Sequence, residues 1–123
     1  MSRPHEDLVL RARIRLLSSD PWPPEGEEAM RVYRVLFAVG PRAYAYRLAA
    51  TLLDLGRDRR SRLPRAARRA LLTEALEAVA HVPAGGPWYE ERIGEWVRGA
   101  LAQLDAQESR QARGEQELTS SPA

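Results

Sequence analysis

From residue 25 onward, apolar positions recur at intervals of three and four. Ala29, Met30, Tyr33, Leu36 and Phe37 form one stripe, and Val32, Val35 and Val39 widen it, so the spacing predicts a helix over 25–39. A helix apolar over so much of its circumference belongs at the centre of a fold. Glu25, Glu27 and Glu28 suit the positive end of its dipole. Gly40-Pro41 ends it: glycine accepts a left-handed cap, and proline has no backbone donor to offer. A second helix over 42–56 carries Tyr44, Tyr46, Leu48, Ala49, Leu52, Leu53 and Leu55 around a narrow polar strip of Arg47, Thr51 and Asp54, with Gly56 closing it. A hinge this short predicts an antiparallel hairpin.

The pattern repeats further on. Pro64 opens a helix reaching about residue 82, with Leu72, Ala75, Leu76, Val79 and Val82 on its buried side. Pro83-Ala84-Gly85-Gly86 breaks the chain, and Pro87, Glu90 and Glu91 start the next helix. There Ile93, Trp96, Val97, Ala100, Leu101 and Leu104 give the cleanest amphipathic spacing, with Trp96 assigned to the core. Over 8–17, Arg11, Arg13 and Arg15 alternate with apolar residues as in a strand, whereas Leu10, Ile14 and Leu17 fit a helix. A lone strand would need another subunit to pair with, so a helix is the expectation. Residues 18–24 hold three prolines and Trp22, read as a loop with a packed plug. After residue 107 the composition turns to Gln, Glu, Ser, Arg and Gly, which predicts a disordered tail over 108–123. The expected architecture is all-α: a single small domain of four to five antiparallel-packed helices within 1–107.

Composition narrows the chemistry. A chain of 123 residues supports one compact domain that buries roughly two-thirds of its unfolded surface. The absence of cysteine excludes disulfides, thiolate metal sites and cysteine nucleophiles. All 19 basic residues are arginine, which removes a phosphate-loop lysine and Schiff-base chemistry, and suggests a GC-rich bacterial coding sequence. No apolar run approaches the ~18–20 residues that span a bilayer. The first residues lack a secretory core, so a cytoplasmic location is expected.

The two predicted hairpins echo each other. Ala29, Tyr33, Leu36 and Pro41 share their spacing with Leu71, Ala75, Ala78 and Pro83, 42 residues later; Leu48, Ala49 and Leu52 correspond to Ile93, Gly94 and Val97 at an offset of 45. Gly26-Glu27-Glu28-Ala29 with Tyr33, Leu36 and Pro41 resembles the second helix of a tetratricopeptide repeat. Leu48, Ala49, Leu52 and Gly56-Arg57 resemble the first helix of the next one. The resemblance covers residues 26–57 well and 64–104 poorly, and the period exceeds the ~34 residues usual for such repeats. It implies stacked helical hairpins that bind other proteins.

The sharpest local feature is Arg57, Arg59, Arg60, Arg62, Arg65, Arg68 and Arg69, which with Asp58 give a local charge of +6 on a chain totalling +2. Cations at a helix start oppose its dipole, an arrangement that invites an anionic partner. The guanidinium fork suits carboxylate and phosphate alike. The plainer account pairs these arginines with Glu74, Glu77 or the acidic 90–95 segment. Interleaved aromatics, a glycine-rich loop and a recognisable reading helix are all missing for nucleic acid. His5 and His81 stand alone, and Glu91 and Glu95 lack the Glu-x-x-His pattern of a di-metal site. Tyr46, Trp88 and Tyr89 are the candidate interface aromatics. The expectation is a non-catalytic adaptor without metal or cofactor. It would bind an acidic protein partner or its own copy, with nucleic-acid binding through the same basic segment as the alternative.

Overall fold

The computed structural model describes residues 4–17, 25–57 and 63–119. Five helices occupy them: α1 (Pro4–Leu17), α2 (Gly26–Val39), α3 (Pro41–Arg57), α4 (Arg65–Val79) and α5 (Trp88–Thr119). The described residues contain no strand, and the chain is a small all-α domain. The expected Trp22 plug and Arg59, Arg60 and Arg62 lie outside the described residues.

The hub is α3, which packs on α2, α4 and α5; among the described residues α1 rests chiefly on α2. The main core joins Leu48, Ala49, Leu52 and Leu53 of α3, Leu72, Ala75 and Ala78 of α4, and Ile93, Val97, Ala100 and Leu104 of α5. Each fully buried leucine there contributes about 1.5–3 kcal/mol. A satellite cluster holds Val9 and Ala12 of α1 against Val32 and Leu36 of α2. Arg15 adds a hydrogen-bonded ion pair to Glu28 across the same contact. Helix therefore prevails over strand at 8–17 because Val9 and Ala12 share a face that α2 can bury.

Several boundaries differ from expectation. Gly40 alone joins α2 to α3, and its φ of −130° is not left-handed. Its N–H donates to Leu36 O at 2.8 Å, while its own carbonyl accepts from Tyr44 N–H, so the chain turns within one residue. Gly56 does not close the second helix; it lies buried inside α3, which ends at Arg57. A Cβ at Gly56 would stand 2.7 Å from Leu72 Cγ, so glycine is what lets α4 pack against α3 at this point. The fourth helix ends at Val79 rather than about residue 82. The tail expected to be disordered from 108 is helical through Thr119. Its alanine, glutamine, glutamate and arginine are good helix formers even without a core to pack on.

Candidate interaction surface

The turn before α5 sets the position of an aromatic ladder. Gly85 adopts φ +83°, a left-handed value that costs glycine little, and the chain re-enters helix at Trp88. Pro87 contributes its carbonyl, which accepts from the Glu90 and Glu91 N–H groups. The Glu90 carboxylate folds against Gly86, so this helix start already carries its own negative charge and is no anion cradle.

Ile93, Val97, Ala100 and Leu104 then face the core, which leaves Trp88, Arg92 and Trp96, spaced by four, on the flank. Tyr46 of α3 meets Tyr89 with ring centroids 5.3 Å apart and planes at 54°. Tyr89 meets Trp88 edge-to-face at 5.8 Å, and Trp88 meets Trp96 edge-to-face at 6.3 Å. The Arg92 guanidinium sits 6.0 Å from the Trp88 ring centre. Edge-to-face pairs of this kind add about 0.5–1.5 kcal/mol beyond the area they bury. Burial pushes the Tyr46 hydroxyl above its ordinary 10.0, and Tyr89, Glu90 and Asp54 add to the effect by disfavouring another negative charge.

Much of the ladder remains open to solvent: Trp88 is 65% exposed, and Tyr89 and Trp96 are each 39% exposed. The structure thus brings Tyr46, Trp88 and Tyr89 together. It also corrects Trp96, expected in the core and found in the ladder, and adds Arg92, which composition and charge did not single out. The 88/92/96 spacing was the available signal: three residues one turn apart share a helix face.

The described members of the basic segment are at the other end of α3, and most have partners inside the molecule. Arg68 Nε donates to Gly56 O at 2.7 Å, satisfying one of the carbonyls that the end of α3 leaves without a helical partner. Arg69 reaches Asp105 at 2.6 Å and Glu108 at 2.8 Å, and these hydrogen-bonded carboxylates raise its pKa further. Arg57 and Asp54 lie 3.6 Å apart on a largely exposed surface, a pair worth little. Arg65 has no ion-pair partner among the described residues.

Two further concavities differ in character. A cleft of about 280 Å³ between α2 and α4 contains Arg34, Glu74, Phe37 and His81. Arg34 spans it in a bidentate pair with Glu74, at 2.8 and 2.5 Å, which raises the Arg34 pKa, and Phe37 meets His81 edge-to-face. A shallow groove of about 570 Å³ over α1 and α2 is aliphatic, lined by Leu8, Val9, Val35, Ala38 and Val39 beside Arg34. Among the described residues no cluster of histidine, aspartate or glutamate is arranged to hold a metal, and no helix is long and apolar enough to cross a membrane. No family model, curated protein or solved structure matches this chain.

Proposed function

We propose that the protein is a non-catalytic helical interaction module whose contact surface is the Tyr46–Tyr89–Trp88–Trp96 ladder with Arg92. The observation that carries this reading is the ladder's half-open state: four aromatics in successive tilted and edge-to-face contact and an arginine, on two packed helices, with much of their area open to solvent. Tryptophan, tyrosine and arginine dominate the energetics of protein interfaces, because each buries a large area while losing few rotamers. The aliphatic groove over α1 and α2 lacks that composition.

The basic segment has a secondary part in this proposal. Arg68 and Arg69 spend their charge within the fold, while Arg57, Arg65 and the flanking connector supply long-range attraction for an acidic partner. Nucleic-acid binding would draw on the same arginines, two of which, Arg68 and Arg69, are already engaged within the fold. The sequential packing of α2, α3, α4 and α5 is compatible with the helical-hairpin resemblance.

The test is capture of partners by the tagged full chain, with nuclease treatment and with a Trp88→Ala/Trp96→Ala variant alongside. A stoichiometric protein that survives nuclease and is lost with the variant is expected. Retention that ignores the aromatic substitutions, or that vanishes with nuclease, would overturn the proposal.

A further inference from the structure

The exposed side of α5 carries a second stripe, opposite the one that faces the core. Trp88, Arg92, Glu95, Gly99, Ala102 and Ala106 follow one another at alternating spacings of four and three, and all six are exposed. Such spacing defines one seam along a helix. Its first half is bulky and charged, and its second half is small. A Cβ at Gly99 would meet nothing within 4 Å, so no packing inside the molecule calls for glycine there.

From this and the charges beside it, and resting on the interaction reading above, we infer that the partner covering Trp88 and Arg92 of the aromatic surface is a second copy of this chain, docked with its α5 antiparallel to the first. An antiparallel pair centred near residue 97 sets Trp88 against Ala106 of the second copy, Arg92 against its Ala102, and Glu95 against its Gly99. Every bulky position then meets a small one, twice, as a two-fold interface requires. Residues 88 and 106 are ~27 Å apart along a helix, so the contact runs well over the length of α2 or α4.

Charge at the ends agrees with this arrangement. Arg69 is already paired with Asp105 and Glu108, and these contacts hold the start of α4 beside that stretch of α5, which leaves Arg65 there as a cation with no ion-pair partner among the described residues. The antiparallel register brings Glu90 and Glu91 of the second copy to the same stretch. The acidic partner available to Arg65 is then the acidic helix start of its own twin.

At 32 residues α5 is about twice as long as the 14–17-residue helices before it, long enough to carry the whole of this seam.

The experiment is sedimentation of the full chain over a concentration series, with Gly99→Arg, Trp88→Ala and Val39→Glu variants and their circular dichroism. Gly99→Arg is built where the monomer has open space, so its helix content is expected to match the wild type. A mass of twice 13.8 kDa is expected, with a dissociation constant raised at least ~30-fold by Gly99→Arg and by Trp88→Ala, the scale of a lost hot spot. Val39→Glu, on the α1–α2 groove, is expected to leave it unchanged. A single 13.8 kDa species throughout would overturn the inference, and so would a dimer that Val39→Glu dissolves and Gly99→Arg does not. In the first case the interaction reading would still stand if another protein is captured through Trp88 and Trp96.

Discussion

Two glycines in helix interiors show how much one methyl group matters, with opposite signs. At Gly56 an added Cβ would fall 2.7 Å from Leu72 Cγ and 3.3 Å from the Arg68 carbonyl, so the buried Leu72 side chain or the α3–α4 spacing must shift. Gly56→Ala is expected to destabilise the fold by about 1–3 kcal/mol, the usual cost of overpacking. At Gly99 the same addition meets nothing, so Gly99→Ala is expected to stabilise the monomer by about 0.5–1 kcal/mol through helix propensity alone. Urea midpoints of dilute protein, at unchanged slope, check both. Tyr46 provides a pH-dependent counterpart. Its pKa is raised in the fold, so the unfolded chain releases that proton first as pH climbs past 10.0. The stabilisation from keeping Tyr46 neutral is complete below that value and is lost as pH rises through the raised one. Thermal unfolding between about pH 9 and 11 is expected to show a smaller loss in Tyr46→Phe than in the wild type.

Among the elements, the helices over 25–39, 42–56 and 64–82 were legible because their apolar stripes and their Gly and Pro punctuation agree. What was not legible depends on neighbours. Gly56 looks like a stop signal until Leu72 is seen to occupy the space its side chain would need. Trp96 satisfies the amphipathic spacing, yet Ile93, Val97, Ala100 and Leu104 already fill the core-facing seam, which displaces the indole to the flank beside Trp88. The end of α5 resembled a disordered tail because Leu118 is its one large apolar residue, whereas Asp105 and Glu108 hold its middle to Arg69 from a distant part of the sequence. Among the described residues, these contacts place the last long-range anchor of α5 at Glu108. A chain ending at Glu108 is therefore expected to keep its monomer stability within about 0.5 kcal/mol, as surface changes do. One ending at Leu104 loses both carboxylates and the final turn that supports Leu104. Unfolding curves of the two truncations separate these outcomes.

For the whole molecule, the distribution of charge matters more than its total. A net charge of +2 conceals a connector of +6 at one end of α3 and an acidic helix start, Glu90 and Glu91, near the other. Two copies related by a two-fold axis perpendicular to α5 bring these opposite ends together, so added salt is expected to weaken association of the wild-type chain by screening that attraction. Exchanging Arg59, Arg60, Arg62 and Arg65 for Glu turns the net charge from +2 to −6 and sets carboxylates against carboxylates. Arg65, the one of the four among the described residues, has no ion pair to lose, so helix content is expected to persist. The salt dependence of association is then expected to change sign: weak at low salt, stronger as screening relieves the repulsion. The difference should appear chiefly in the association rate, which long-range fields govern, with dissociation still set by the tryptophans. Stopped-flow tryptophan fluorescence across a salt series measures both rates. A variant that kept the wild-type salt slope would remove the connector from the interface while leaving the aromatic seam intact, an outcome that Gly99→Arg distinguishes from loss of the dimer itself.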